Sequence, residues 1–509
     1  MAKTTSTKTA TTKKTTTKKT TKKTVAPATV EKKKILFVTS EAQPFAASGG
    51  LADVAGSLPK ALAKDPNVDV RVVMPLYSII PDAYKKEFKY VGNTQLQITW
   101  RSQYLGLFEY KKDNVTWYFL DNEYYFKRNS IYGYFDEAER FTFLSRGALE
   151  ILPMINFIPN IIHCQDWESA LIPVYLKTLY SGKETYKHIR TLYTIHNMEY
   201  QGRYGKSSLY DLFELSDSDY SLVEYDNDIN LMKGAIQCAD IVSTVSPTYA
   251  KEILTPSAAH GLEHINKANE YKMTGILNGI DYDFYNPETD ANLAANYNAD
   301  NLEGKAKCKE ALQDLLGLDK KDVPVIAMIT RLVSHKGIDL LEKAFDRLLE
   351  KDVQIIVLGM GEFGYEEYFK DLERRNKFKV RALIQYNGAL SRKIYAGADI
   401  FLMPSKNEPC GLSQMIAARY GTIPVVHTVG GLKDTVKAYN PETKEGWGVT
   451  FQSYDSYDFL DAVKRAIDLY YDKENRKVIR KNAMSQDVSW DNASEEYIKL
   501  YKELVKGDN

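Results

Sequence analysis

Cysteine is scarce in this sequence. Cys164, Cys238, Cys308 and Cys410 are the only four among 509 residues, and no two of them form a CxxC pair. This spacing argues against zinc and redox motifs and favours a reducing compartment, so we expect a cytoplasmic location. No apolar run approaches the roughly 20 residues that span a bilayer, and the N-terminus lacks the apolar segment of a signal peptide. We therefore expect no membrane association.

Net charge is also missing, since 67 basic side chains balance 67 acidic ones, but the charge is unevenly distributed. Residues 1–30 hold eight Lys and no Asp, Glu or Arg, which leaves the rest of the chain mildly acidic. The acidic character of the chain after residue 30 does not favour nucleic-acid binding. The Thr/Lys repeats predict a disordered tail over residues 1–33; the alternative is a tail that contacts an acidic partner.

From Lys34 onward, short apolar runs alternate with amphipathic segments, which predicts α/β domains with parallel sheets. The alternation restarts near Val325, so we predict two Rossmann-like, doubly wound domains over residues 34–275 and 276–475, with terminal helices over 476–509. The predicted strands are 35–38, 70–74, 161–163, 191–195 and 241–245, then 325–329, 354–358, 382–385, 400–403 and 423–426. The predicted helices are 51–63, 138–151, 168–179, 337–349, 391–396, 412–420, 457–469 and 493–505.

A GxGxxG string at Gly359–Gly364 follows a predicted strand and matches a dinucleotide-binding fingerprint. The acidic residue that should stand about 20 positions later is missing, because Ile384–Asn387 occupies that place. We interpret these glycines as a tight strand-to-helix turn rather than an NAD site.

Three short motifs in the second predicted domain place polar or charged residues, or glycines, at the ends of strands, where open α/β sheets bind their ligands. Arg331 and Lys336 follow one strand and could hold a diphosphate leaving group. Glu408 follows another strand and could reach a sugar hydroxyl, while the helix start at Gly411–Ser413 offers N–H groups to a phosphate. Gly430-Gly431 opens a further helix that could meet the donor.

In the first domain, Ser48-Gly49-Gly50 precedes a helix that contains Asp53, and it could admit a diphosphate. Asp166 and His196 also stand at strand ends and could orient an acceptor hydroxyl. The His and Cys spacing matches no zinc pattern, so we expect no metal. His163, inside a buried strand, is more typical of a satisfied core histidine.

Together these strings resemble the bacterial glycogen synthase and plant starch synthase family, glycosyltransferase family 5, from about Lys34 to Lys502. The strings that carry the resemblance are 39–41 with 49–54, 163–167, 194–197 with 200–202, 245–250, 277–281, 331–332 with 336–337, and 408–412. The resemblance implies the GT-B fold, in which two Rossmann-like domains face each other across a cleft and the last helix crosses back to the first domain.

The resemblance also implies an activity: a retaining hexosyltransferase that moves glucose from ADP-glucose to the non-reducing end of an α-1,4-glucan, without metal or cofactor. The alternatives are a related transferase that uses another donor, such as UDP-glucose, and a catalytically weak glucan-binding paralogue.

By the same resemblance, each site residue receives a role. The implied catalytic residues are Glu408, His196, Asp166, Arg331 and Lys336. The implied donor-binding residues are Ser48, Gly49, Gly50, Asp53, Asn278, Cys410, Gly411, Leu412, Ser413, Gly430 and Gly431. The implied acceptor-binding residues are Asn197, Trp167 and Tyr125.

Two positions depart from the family pattern. Ala47 stands where the family usually has a donor-contacting Lys, and Glu168 stands where it often has His. These departures put the donor preference and the rate in doubt. Our hypothesis is that Arg331 and Lys336 suffice for turnover.

Overall fold

A computed structural model describes residues 1–11 and 32–506. Residues 1–11 are exposed and without regular secondary structure. The rest of the predicted Thr/Lys tail, as far as residue 31, lies outside the described residues.

The first domain is built on a nine-stranded sheet in the order β12-β11-β7-β6-β1-β2-β5-β4-β3, with a small β8-β10-β9 sheet beside it. Its central strand is buried on both faces, which explains the uninterrupted apolar run Ile35–Val38. The strands are β1 (Lys33–Val38), β2 (Val68–Pro75), β3 (Lys89–Ile98), β4 (Arg101–Lys112), β5 (Val115–Asp121), β6 (Ile161–Gln165), β7 (Arg190–Ile195), β8 (Arg203–Tyr204), β9 (Glu224–Tyr225), β10 (Asp228–Asn230), β11 (Ile241–Thr244) and β12 (Met273–Gly275).

Helices cover both faces of this sheet, as expected for a doubly wound domain. They are α1 (Gly50–Leu62), α2 (Asp82–Lys85), α3 (Glu123–Phe126), α4 (Glu137–Met154), α5 (Leu171–Lys177), α6 (Ser208–Asp211), α7 (Tyr220–Val223), α8 (Leu231–Cys238), α9 (Pro247–Glu252), α10 (Pro256–Ala259) and α11 (Glu263–Ala268).

The edge of the first sheet was not anticipated from the sequence. β3 and β4 pair antiparallel, and β4 pairs antiparallel with β5, so a hairpin extends an otherwise parallel sheet. β3 faces solvent over most of its length and is polar at many positions, which leaves no apolar run of the kind that identified the central strands.

The second domain has a six-stranded, parallel sheet in the order β15-β14-β13-β16-β17-β18. Its elements, with the terminal helix, are α12 (Glu303–Leu316), β13 (Val325–Ile329), α13 (Ile338–Leu349), β14 (Gln354–Leu358), α14 (Phe363–Arg375), β15 (Val380–Leu383), α15 (Gly388–Gly397), β16 (Ile400–Met403), α16 (Ser413–Arg419), β17 (Ile423–His427), α17 (Gly430–Thr435), β18 (Val449–Phe451), α18 (Ser456–Tyr471), α19 (Lys473–Met484) and α20 (Trp490–Leu504).

Helix α12 lies inside the polar segment 275–316, where only a domain boundary was expected. Lys305 explains why its pattern is hard to recognise. This lysine is buried, and its ammonium donates to the carbonyls of Ala396 (3.0 Å) and Tyr420 (2.9 Å). A buried cation satisfied by backbone oxygens breaks the apolar periodicity on which sequence reading depends.

The terminal helix α20 returns to the first domain, whereas α19 packs against α16 and α18 of the second domain. Tyr501 of α20 forms a hydrogen bond of 2.8 Å with Nδ1 of His163, and Nε2 of that histidine bonds to Thr194 at 2.6 Å. Burial holds the pKa of His163 well below its usual value. His163 is therefore a satisfied core histidine that helps to seat α20.

Direct contacts also join the domains below the cleft. Asp434 of α17 accepts hydrogen bonds from the backbone N–H (2.7 Å) and hydroxyl (2.6 Å) of Thr248 in the first turn of α9. The Ser246 hydroxyl donates to the Pro409 carbonyl at 2.6 Å. The start of α9 in the first domain is thus bonded to α17 and to the loop that carries Glu408.

Candidate active site

The two sheets face each other across a cleft of about 1450 Å³. Loops that follow β1, β6 and β7 line one wall, and loops that follow β13, β14, β15 and β16 line the other. In open α/β sheets these carboxyl ends are where ligands bind. Most of the residues selected from sequence lie on these two walls: Ser48, Gly49, Gly50, Asp53, Asp166, Trp167, His196, Asn197, Asn278, Arg331, Lys336, Glu408, Cys410, Gly411, Leu412 and Ser413.

Glu408 is an acidic group that three hydrogen bonds hold on the second-domain wall. Its side chain is buried, and the Lys336 ammonium donates to both carboxylate oxygens at 3.0 Å and 2.8 Å. The Ser405 hydroxyl adds a third hydrogen bond of 2.9 Å. A carboxylate fixed by three donors needs little reorganisation when charge develops beside it.

Lys336 and Arg331 differ in what they contact. Lys336 is paired with Glu408, so one member of the predicted Arg331–Lys336 clamp already contacts a carboxylate. Arg331 is exposed at the cleft, where its guanidinium can meet an anion directly. A diphosphate would therefore find Arg331 open and would share Lys336 with Glu408.

The segment after Glu408 turns sharply into α16. Gly411 has a φ of 75°, a conformation that favours glycine, and α16 begins two residues later at Ser413. Burial raises the pKa of Cys410 to about 12, so its thiol stays protonated at neutral pH. Asn278 also lines the cleft; it is buried, and its Oδ1 has no hydrogen-bond partner among the described residues.

Gly430 and Gly431 do not line the cleft, contrary to the expected donor contact. A Cβ on Gly430 would collide with the Glu408 carbonyl, and a Cβ on Gly431 would collide with the Cys410 backbone. The Gly431 N–H instead donates to the Glu408 carbonyl at 3.1 Å. The two glycines allow α17 to support the Glu408 loop from behind.

On the first-domain wall, Asp166 and His196 form one unit. The His196 N–H donates to Asp166 Oδ1 at 2.7 Å, and His196 Nε2 bonds to Gln165 at 2.8 Å. Asp166 has a φ of 51°, an uncommon conformation for a residue other than glycine. Burial lowers the pKa of His196 to about 3 and raises that of Asp166 to about 7. The imidazole is thus neutral and suited to hydrogen bonding with a sugar hydroxyl.

Glu41 occupies the loop that was expected to bind phosphate. Its carboxylate accepts hydrogen bonds from the backbone N–H groups of Ser48 and Gly49, the latter at 3.2 Å. The side chain is 3% exposed, and burial raises its pKa to about 8. These N–H groups are therefore not free for a ligand. Two sequence signals marked Glu41, its place shortly after the first strand and its inclusion in the family string 39–41, but no role was assigned to it.

Asp53 follows in the first turn of α1 and lines the cleft. Burial, reinforced by Asp281, raises its pKa to about 6. Asp53 thus faces the cleft with a carboxyl group that titrates close to neutral pH.

The expected acceptor contacts divide into two groups. Trp167 and Asn197 line the cleft, but Tyr125 does not. Tyr125 is fully buried and its hydroxyl donates to Glu139, so it belongs to the core of the first domain. Several tyrosines that had no assigned site role line the cleft, Tyr132 and Tyr386 among them.

The two family departures occupy different environments. Ala47 is exposed at the cleft, where a longer side chain would have room. Glu168 is buried, one of its oxygens has no hydrogen-bond partner, and burial with nearby Asp166 keeps its pKa well above the usual value. A neutral carboxyl group therefore stands where the family often has His.

We expect stability to depend on pH through Glu41. The folded protein retains a proton that the unfolded chain releases near pH 4.5, so the free energy of unfolding should fall as pH rises from about 4.5 to 8. One such group contributes up to about 1.4 kcal/mol per pH unit. Glu41→Gln keeps the hydrogen-bond acceptor without the titration, and its Tm should fall less than that of the unsubstituted protein between pH 5 and pH 8.

Exposed Glu442 offers a matched control for that measurement, because Glu442→Gln changes the same chemistry away from the cleft. Its Tm should follow pH as the unsubstituted protein does. An identical pH slope for Glu41→Gln and the unsubstituted protein would show that Glu41 ionises normally.

Two absences apply to the described residues. Within residues 1–11 and 32–506, no group of three or more His, Cys, Asp or Glu side chains is placed to hold a metal ion. In the same part of the chain, no helix combines the length and apolar character needed to cross a membrane.

Comparison with known proteins places the chain in a family. A starch synthase catalytic domain model matches residues 34–268, and a glycosyl transferases group 1 model matches residues 317–486. The chain is 47% identical over 475 residues to a glycogen synthase of Ligilactobacillus salivarius, covering 93% of this chain and all of that protein. A glycogen synthase of Anoxybacillus flavithermus is 44% identical over 477 residues, covering 93% and 98%.

Solved structures agree with this placement. The catalytic domain of starch synthase IV from Arabidopsis thaliana, bound to ADP and acarbose, superposes with a TM-score of 0.87 at 34% identity, covering 93% of this chain and 99% of that one. A sucrose-phosphate synthase from Thermosynechococcus elongatus gives 0.61 at 16% identity over 94% of this chain and all of that one, which supports the fold alone.

The two facing Rossmann-like domains and the likeness to a starch synthase structure show the GT-B glycosyltransferase fold, as predicted. Within that class, the chain belongs to the glycogen synthase and starch synthase family. This membership confirms the prediction that the chain is a glucosyltransferase of the glycogen synthase type.

Proposed function

We propose that this chain transfers glucose from ADP-glucose to the non-reducing end of an α-1,4-glucan, with retention of configuration. One observation carries the proposal: the cleft opposes Arg331 and the Lys336–Glu408 pair on one wall to the Asp166–His196 unit on the other. An anionic donor fits the first wall and a neutral polyhydroxyl acceptor fits the second. The ADP and acarbose of the Arabidopsis relative have the same two chemical characters.

On the donor side of the cleft, positive charge binds the diphosphate. The diphosphate lies against Arg331 and Lys336, which stabilise the negative charge that grows on it as the sugar bond breaks. The helix start at Gly411–Ser413 faces the same group. Glu408, fixed by Lys336 and Ser405, lies beside the glucose of the donor.

Hydrogen bonding and stacking govern the acceptor side. Neutral His196 and the Asp166 carboxyl group bind sugar hydroxyls, and Asn197 adds an amide. Trp167, which is 7% exposed, lines the cleft beside them and supplies an aromatic contact. Closure of the two walls excludes water and so limits hydrolysis of the donor.

A cytoplasmic location is part of the same proposal. All four cysteines are free and buried, which suits a reducing compartment.

The direct test supplies labelled ADP-glucose or UDP-glucose with glycogen and measures label incorporation, nucleotide release and product size. We expect ADP release matched by label in the polymer, at a higher rate than with UDP-glucose. Faster transfer from UDP-glucose would overturn the donor assignment. Glycogen binding without release of either nucleotide would identify a catalytically weak glucan-binding paralogue.

Position 47 gives a further prediction. Because Arg331 and the shared Lys336 already face the diphosphate, the protein should turn over with Ala47 in place. Ala47→Lys should lower KM for ADP-glucose by about tenfold or less, the effect of one added charge-assisted hydrogen bond, and leave kcat within about twofold. Steady-state kinetics with varied donor measure both.

Ala47→Met is the matched control, since it adds length without charge and should leave KM unchanged. The hypothesis that Arg331 and Lys336 suffice for turnover would be wrong if the unsubstituted protein showed no turnover and Ala47→Lys gained activity.

A further inference from the structure

Helix α9 of the first domain packs against α17 of the second domain as well as against β11 and β12 of its own sheet. Hydrogen bonds join the two helices at both ends of α9. At its start, Thr248 donates its backbone N–H and its hydroxyl to the two carboxylate oxygens of Asp434. At its end, the Glu252 carboxylate accepts from the Gly430 N–H at 3.0 Å. Two carboxylates, one from each domain, therefore fix the position of α17 relative to α9.

Ser246 extends this contact to the loop that carries Glu408. Its buried hydroxyl accepts from the Tyr249 N–H at 3.1 Å, which caps α9, and donates to the Pro409 carbonyl at 2.6 Å. One oxygen atom thus joins the start of a first-domain helix to the residue after Glu408. Because a hydrogen bond weakens steeply as its geometry departs from the optimum, this bond is sensitive to any displacement between the two domains.

Helix α17 contacts the same loop. The Gly431 N–H donates to the carbonyls of Glu408 and Pro409, both at 3.1 Å. Gln414 of α16 donates to the Thr435 hydroxyl of α17 at 3.0 Å, so α17 is also bonded to the helix that follows the loop. The backbone beside Glu408 is therefore held both by α17 and by a side chain of the first domain.

We propose that Asp434 and Thr248 are positioning residues, which set the place of Glu408 in the cleft by joining the first domain to α17. The inference rests on the proposed function, in which Glu408 lies beside the donor glucose. The Glu408 carboxylate is held by Lys336 and Ser405 of its own domain. Its distance from the acceptor wall therefore depends on how the two domains meet. A displacement of about 1 Å at a reacting group can lower a rate about a hundredfold.

Asp434→Asn keeps the shape of the side chain but removes its charge and one of its two acceptor oxygens. We expect kcat to fall about tenfold, the effect of one lost charge-assisted hydrogen bond, with KM for ADP-glucose changed by less than about twofold. Thr248→Val is nearly isosteric, so it disturbs folding least, and it should lower kcat in the same direction by a smaller factor. Thr248→Ser retains both donors and should recover the rate. Steady-state kinetics with saturating glycogen and varied ADP-glucose measure these values.

A double-mutant cycle separates positioning of Glu408 from general support of the fold. In the Glu408→Gln background, Asp434→Asn should change kcat by less than about twofold, because the carboxylate that it positions is no longer present. Equal losses in both backgrounds would overturn the proposal, and so would an unchanged kcat in Asp434→Asn alone. Thr255→Val is the matched control, since the Thr255 hydroxyl donates at 2.7 Å to the Glu252 carbonyl of its own domain. This control should leave kcat unchanged.

Amide hydrogen exchange provides a readout that does not depend on catalysis. Exchange within residues 405–413 should rise in Asp434→Asn and Thr248→Val, because the loop loses support from the first domain, and should not change in Thr255→Val. Equal protection of this segment in all variants would overturn the proposal. A protein that transferred no glucose would contradict the proposed function instead, and exchange would still decide whether the contact between α9 and α17 holds the loop.

Discussion

Replacing Glu408 with glutamine is expected to lower kcat by about a thousandfold, with KM for ADP-glucose changed by only a few-fold. Glutamine retains the shape and one of the oxygens that Lys336 and Ser405 contact, but it removes the negative charge beside the donor glucose. The loss should therefore fall on the transition state rather than on ground-state binding. Steady-state kinetics with saturating glycogen measure it.

The chain offers a matched control for that variant. Glu445 accepts from Lys437 at 2.8 Å, as Glu408 accepts from Lys336, but both partners are exposed. Glu445→Gln should leave kcat unchanged, since an ion pair between two exposed side chains is screened by solvent and lies outside the cleft. An unchanged kcat in Glu408→Gln would remove Glu408 from the mechanism.

Substitution of Arg331 by glutamine should reduce kcat/KM for ADP-glucose by about a hundredfold or more. Arg331 is exposed at the cleft, so its loss removes the charge that faces the diphosphate without leaving a buried partner unsatisfied. Tm should accordingly stay unchanged. Lys336→Gln is a less direct test, because it also leaves the buried Glu408 carboxylate without its cation.

Arg331→Lys should recover part of the rate, since lysine keeps the charge but lacks the bidentate geometry of arginine. Arg374→Gln on α14, also exposed, is the control for loss of one positive charge from the second domain. Normal kcat/KM in Arg331→Gln would mean that the diphosphate lies elsewhere in the cleft.

Much of the fold follows from local sequence patterns. Most of the buried central strands and several of the helices between them were predicted close to their observed bounds, because burial on both faces produces continuous apolar runs. The β3–β4 hairpin and helix α12 were not predicted, since an exposed edge strand and a helix with a buried lysine lack that signal. Strand β5 and helices α8 and α14 were not predicted either, and α19 was predicted only as part of the terminal helices.

The residues of the site also separate into those that the sequence predicted and those that it did not. Strand-end positions and family strings together identified Asp166, His196, Arg331 and Glu408, and the fold places all four on the cleft. The same reasoning also selected Tyr125, Gly430 and Gly431, which the structure places outside the residues that line the cleft. The direction of a side chain at the end of a helix or strand depends on the residues that pack against it. That direction cannot be predicted from a local sequence pattern.

By itself, the sequence determined which residues end the strands of two α/β domains and which family they resemble, because period and spacing are local properties. Only the tertiary structure decided that Lys336 is paired with Glu408, that Glu41 occupies the N–H groups of Ser48 and Gly49, and that Tyr125 is in the core. Each of these is a contact between segments distant in the chain or separated by a turn. Such contacts are selected by packing and burial across the whole molecule.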